Sequence, residues 1–358
     1  MWKNPKKAKK EWKEISLCGD CWLSVFQFIG PYELGLKFAL LSDRFDHLVD
    51  EHFKTKKWAM GFLEIRLSSR GKRAVIVNNF GDGQRSFYPI PQKPLPSNIV
   101  GFESIRISYV DQHVVQFLHR IRRLFDSVPT NLYIATAALA ETVYRPKHFV
   151  RSCEAIRQHI LPLLRANVRA LFLSSPIFDR LLKFSPSFLV DCPSLGTIDS
   201  YQVFPYFNDI NSAIVSRGRA VGQWLAIPRP DGLPKVLNCG CSPRRMGQLK
   251  ESFLNASSSA NFILFLAPTP SSSLSPFELT NDGTGERMTL KQIATDRFLL
   301  VRCPIVRDEA QWAEWEEAAI KWEWTDQWNC IVIAFSDRDG IGQNLHLSLP
   351  DDAGSSNV

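Results

Sequence analysis

Cys18-Gly19-Asp20-Cys21 sets two thiols three residues apart, the spacing of a zinc half-site or of a redox pair. A zinc site needs a second such pair. The nearest tight one, Cys239-Gly240-Cys241, has a single residue between its thiols, closer than zinc half-sites run. The alternative for each cysteine is a small buried hydrophobe. His113 beside Asp111 has the residue types of a general base and its orienter, or of a helix start that Asp111 caps. Glu309 and Glu316-Glu317 could act as paired carboxylates, or form a solvated charged face with Arg307 and Lys321. Gly283-Thr284-Gly285 and Gly340-Ile341-Gly342 are fragments of glycine-rich phosphate loops and read as turns. No nucleophile elbow, Walker loop or complete dinucleotide fingerprint occurs. The expectation is a chain that is not an enzyme, with no cofactor and no metal site.

Aromatic side chains are the stronger signal. Five of the ten tryptophans fall between Arg307 and Trp328: Trp312, Trp315, Trp322, Trp324 and Trp328. Trp312, Trp315 and Trp322 fit one helical stripe. Tryptophan buries much area at low entropic cost, so the stripe is a candidate target-binding surface. The alternative is core packing of a terminal helix.

The elements that would carry a binding function begin at residue 17, with LCGDCWLSVFQFIGPYELGLKFALLSDRFDHLVD. Trp22, Val25, Phe26 and Ile29 share one helical face. Gly30-Pro31 then breaks the helix, because proline has no N–H and restricts its predecessor. Leu34, Phe38, Leu41, Phe45 and Leu48 form a second stripe, with Leu36 and Leu40 pointing elsewhere. A three-helix unit this short cannot bury two apolar faces by itself. One face must meet the rest of the chain or a partner.

This stretch resembles an F-box, the docking module of substrate receptors in cullin-RING ubiquitin ligases, and in particular the divergent animal F-box families with variable C-terminal regions. Leu17 stands at the opening leucine of the pattern, Leu23 at the first-helix leucine, and Val25-Phe26 at the apolar pair. Ile29 takes the last leucine of that helix and Pro31 the turn proline. Leu41-Ser42-Asp43-Arg44-Phe45 with Leu48-Val49 match the closing segment. Cys18 replaces a proline, Asp20 a glutamate, and one extra residue stands between Pro31 and Leu36. The resemblance implies a Skp adaptor and a cullin as partners. It implies docking through Leu17, Trp22, Leu23, Phe26, Ile29, Pro31, Leu36 and Leu40. The C-terminal region would hold an unknown target protein.

Composition agrees with a cored globular chain: of 358 residues, 45% are hydrophobic and 22% charged. No apolar run is long enough to span a bilayer and no secretory signal opens the chain, so the expected compartment is cytoplasm, nucleus or both. Eight cysteines without regular spacing fit reduced thiols. The net charge is +7. Residues 1–14 carry six lysines against Glu11 and Glu14, a basic tail read as disordered, with nuclear import as its alternative role. The remainder is too weakly basic for a nucleic-acid groove.

The expected organisation is α+β. The tail at 1–14 precedes the helical module at 15–55, then a linker and strand-turn region at 56–97 with the proline-rich YPIPQKPLPSN. An α/β target-binding domain runs from 98 to 350, and a disordered tail from 351 to 358. Beyond residue 98, apolar runs recur at 102–109, 132–136, 168–174, 196–201, 235–239, 261–267, 298–303 and 330–335. Helical periods separate several of them, which implies a largely parallel sheet. The segment from Leu164 to Ile198 resembles a leucine-rich-repeat unit. An irregular repeat-like domain is one expectation, and a single compact α/β sheet the other.

Overall fold

The protein is described by a computed structural model over residues 17–30, 33–54, 58–69, 73–79, 85–135, 146–207, 216–268, 274–335 and 340–347. The tails expected at 1–14 and 351–358, and Pro31, lie outside the described residues. The fold is mixed α and β. It divides into two compact units, one of Met1–Trp58 with Pro96–Ile99 and one of Ala59–Leu95 with Val100–Val358.

In the first unit, α1 spans Gly19–Phe26 and α2 spans Asp43–Phe53, with a π-helical turn at Leu34–Phe38 between them. Among the described residues the unit thus has three helical segments, the middle one π-helical. Helix α1 stops at Phe26, ahead of the Gly30-Pro31 break. The second apolar stripe is also divided. Ser42 adopts an extended backbone and its hydroxyl accepts the Phe45 N–H at 3.3 Å, capping α2. Serine favours such caps over helix interiors, because its hydroxyl competes for backbone partners. Phe26, Leu34, Ala39, Val49 and Phe53 form the core, with Trp22, Leu23, Ile29, Phe38, Phe45 and Leu48 packed around it.

The second unit is built on one thirteen-stranded sheet. Its strands are β1 Trp58–Leu67, β2 Ala74–Asn79, β3 Arg85–Pro89, β4 Ile99–Ile107, β5 Thr130–Ile134, β6 Val168–Leu173 and β7 Thr197–Asp199. They continue with β8 Lys235–Cys241, β9 Phe262–Pro268, β10 Phe277–Asn281, β11 Glu286–Ala294, β12 Arg297–Pro304 and β13 Cys330–Ile333. Their order is β10-β11-β12-β9-β8-β7-β6-β5-β13-β4-β1-β2-β3. From β4 through β13 and β5 to β9 the pairing is parallel. Both flanks are antiparallel. In the region expected as linker and strand-turn at 56–97, β1, β2 and β3 form the antiparallel edge of the sheet. In the proline-rich stretch, Arg120 and Arg123 donate to the carbonyls of Pro91 and Leu95.

Parallel neighbours require crossovers, and the sequence supplies helices for them. They are α3 Gln112–Arg120, α4 Arg122–Ser127, α5 Pro146–Ala155, α6 Leu161–Leu164, α7 Ser175–Phe184, α8 Arg217–Ala226 and α9 Pro243–Leu254. Strands β5 to β9 follow one another in both sequence and space, so right-handed crossovers stack their helices on one face. Helix α7 packs on α5 and on α8. Beneath them runs a row of register partners, Ile105, Ile331, Leu132, Leu171, Ile198, Leu237, Leu264 and Leu300. All eight are buried, one per strand. This aliphatic row is the centre of the core.

After β12 the chain changes sides. Helix α10, Glu309–Ile320, lays Trp312 and Trp315 against Val236, Ile263, Phe265 and Val301, which alternate with the buried row and face the other way. The chain then crosses that second face and inserts β13 between β4 and β5.

Candidate functional site

The helical unit presents an apolar surface over an aromatic interior. Trp22 meets Phe45 edge-on at 5.0 Å between centroids, and Phe38 meets Phe26 at 5.9 Å. Edge-to-face rings favour each other beyond the area they bury. The Arg44 guanidinium donates to the Leu17 carbonyl at 2.8 Å, tying the start of the unit to α2. These contacts decide which expected docking residues are free.

Phe26 is completely buried in the unit's core and cannot meet a partner while the unit stays folded, and Leu36 is only 3% exposed. This corrects their place in the docking set. Both follow the apolar spacing, but spacing does not say which stripe closes inward. Trp22, Leu23 and Ile29 are half-buried against the core. Leu17 and Leu40 are exposed. The largest free apolar side chains are Phe28, 90% exposed, and Leu41, 62%, with Val25 also exposed. Phe28 lies off the stripe of Trp22, Phe26 and Ile29, and an aromatic off a buried stripe is the sequence signal for it. Leu41 fell on the expected second stripe and is freed because Ser42 ends that stripe.

On the sheet unit, the second face carries Arg106, Val332, Tyr133, Phe172, Asp199, Asn238 and Phe265 as successive register partners. Tyr133 and Phe172 stack at 4.1 Å, and Trp324 stands edge-on to Tyr133 at 6.0 Å. Burial holds the Asp199 carboxyl above its ordinary value, against the hydrogen bonds from Trp324 and Asn238 that lower it. Of the expected target-binding tryptophans, Trp312 is a core residue of this face and Trp315 is partly buried beside it. Helix α10 ends at Ile320, so Trp322 leaves the stripe and packs on Trp324 at 4.9 Å. The exposed ring of the group is Trp328, at 57%.

Several polar candidates have partners within the fold, and His113 Nδ1 lies 4.0 Å from Asp111 Oδ2. Asp111 caps α3, its carboxylate accepting the Val114 N–H at 2.9 Å. Glu309 and Glu316 take Arg307 as an ion-pair partner, and Glu317 takes Lys321. Cys239 and Cys241 are buried, whereas Cys18 and Cys21 are exposed. Among the described residues no group of three or more His, Cys, Asp or Glu side chains is placed to hold a metal ion. Nor, among them, is any helix long and apolar enough to cross a membrane. A cavity of about 460 Å³ opens beside α9, lined by Tyr206, Phe207, Ser216, Gln248, Glu251 and Ser252 among others. Comparison with protein-family models and with curated proteins finds no match.

Proposed function

We propose that the helical unit docks on the Skp adaptor of a cullin-RING ubiquitin ligase and that the sheet unit holds a target protein for that ligase. The observation that carries this reading is the exposure of Phe28, Leu41, Val25, Leu40 and Leu17 on a unit whose own core is complete. Exposed large apolar side chains on a small, closed unit mark an interaction surface. The F-box resemblance of residues 17–49 says what kind of partner it meets. The docking set becomes Leu17, Val25, Phe28, Leu40 and Leu41, with Trp22, Leu23 and Ile29 at its margin and Phe26 holding the unit together.

The chain itself does no chemistry in this account. A receptor raises the target's local concentration at the ligase's conjugating site. The consecutive parallel strands β5 to β9, with α7 packed on α5 and on α8, support a leucine-rich-repeat-like reading of this stretch. In such architectures the helix-free face takes partners. Here α10 covers one end of that face. Tyr133, Phe172, Asn238 and Trp328 remain for recognition.

The second reading is an interaction protein without a ligase role, whose helical unit is structural. The burial of Phe26 and Leu36 favours it. Co-purification separates the two. The full chain should capture purified Skp adaptor with cullin, and the chain lacking residues 15–50 should not. A folded full chain that captures neither leaves the second reading.

A further inference from the structure

We propose that Cys18 and Cys21 form a reversible dithiol–disulfide site that exchanges with small disulfides of the glutathione class. Their sulfurs lie 3.2 Å apart on exposed side chains at the start of α1. Cys18 occupies the N-cap with an extended backbone, φ −70 and ψ 165, and Cys21 follows within the first turn. A disulfide holds its sulfurs at about 2 Å. Closure therefore needs a side-chain movement of roughly an ångström at a helix end, and no change in the helix core.

The two thiols are not equivalent. The Cys21 thiol beside Cys18 draws the Cys18 pKa below its ordinary value, and the same contact raises that of Cys21. Cys18, at the N-cap of α1 where the helix N-terminus favours a thiolate, is assigned as the attacking thiol and Cys21 as the resolving one. The other six cysteines are buried, and burial pushes Cys153, Cys192 and Cys241 up to about 12. Buried thiols with so little thiolate are inert to exchange.

In the forward direction the Cys18 thiolate attacks one sulfur of glutathione disulfide. That S–S bond breaks, a Cys18–glutathione mixed disulfide forms, and the first glutathione leaves as a thiolate that takes a proton from water. Cys21 then gives up its proton and attacks the Cys18 sulfur. The mixed disulfide breaks, the Cys18–Cys21 bond forms, and the second glutathione leaves as a thiol. The chain loses two electrons, and one glutathione disulfide becomes two glutathione thiols. Excess reduced glutathione reverses each step.

The test equilibrates the full chain with graded mixtures of reduced and oxidised glutathione, quenches in acid, alkylates the free thiols and maps them by mass. The expected result is protection of two thiols, both in the peptide that holds Cys18 and Cys21, with a loss of two hydrogens and full recovery in reduced glutathione. The variant Cys21→Ser should retain glutathione on Cys18, whereas Cys18→Ser should take up far less. Eight free thiols at every ratio, protection at other cysteines, or a lasting glutathione adduct on the unsubstituted chain would each overturn the site. Equal adducts on the two variants would overturn the assignment of Cys18 as the attacking thiol.

Discussion

The indole N–H of Trp324 donates to Oδ2 of Asp199 at 3.0 Å, joining residues 125 positions apart. The bond pins the segment after α10 to the second face of the sheet just before β13 enters between β4 and β5. The chain thereby returns across strands it laid down earlier, and its last strand completes their parallel run.

This contact carries a pH prediction. Asp199 has its folded pKa raised, chiefly by burial, so the folded chain holds that proton more tightly than the unfolded chain does. The stability it contributes is complete below the unfolded carboxyl pKa and is lost as pH rises through the folded one. Asp199→Asn removes that loss and keeps an acceptor for Trp324. The variant should be more stable than the parent at neutral pH, with the gap closing in acid. Urea unfolding at both pH values reads it, and a gap that widens in acid would mean the fold favours the carboxylate.

Glu286 and Arg302 form the buried ion pair of the antiparallel flank. The carboxylate accepts from Arg302 at 3.1 and 2.6 Å and from the Ala260 N–H at 2.8 Å. Both side chains are almost wholly buried. Glu286→Ala leaves the guanidinium uncompensated and should cost about 3–5 kcal/mol. Lys291→Ala, at an exposed lysine paired with Glu316, should cost less than about 1 kcal/mol. Comparable losses from the two substitutions would contradict the buried pair as the dominant one.

Among the tryptophans the prediction is a split. Trp312→Ala opens a cavity under α10 and should cost about 3–5 kcal/mol. Trp328→Ala, on an exposed ring, should stay within about 0.5 kcal/mol. Thermal denaturation of the two variants is enough to decide, and similar losses would mean that α10 does not rest on the sheet as described.

In the helical unit, Phe26→Ala should destabilise by about 3–5 kcal/mol, because the side chain fills the core. Phe28→Asp should leave stability unchanged within about 0.5 kcal/mol. Proteolysis at the helical unit, followed with time, distinguishes them: rapid cleavage is expected for the first and parental resistance for the second.

Much of the sheet is legible from apolar runs. The eight segments expected between residues 102 and 335 correspond to β4 to β9, β12 and β13, and the aliphatic row is written in them as single leucines and isoleucines. The hairpin that Asn281-Asp282-Gly283 signals is present between β10 and β11, but its loop is four residues long, 282–285, and the left-handed glycine is Gly285. Three things were hidden. The insertion of β13 depends on where α10 crosses, a long-range outcome with no local signal. The region of the edge strands β1 to β3 is interrupted by glycines, so strand and turn are legible there but the number of strands and their place at the sheet edge are not. In the helical unit, the helical period locates a stripe but cannot tell the inward Phe26 from an outward docking residue, nor foresee that Ser42 frees Leu41.

The most direct test of the docking account is a calorimetric titration of Skp adaptor into the full chain, parallel with a Phe28→Asp/Leu41→Asp double variant of parental stability. Saturable one-to-one binding by the parent, lost in the double variant, is the predicted result. Absent heat from the folded parent, or equal affinity in the two chains, would contradict the assignment of this surface as the adaptor site.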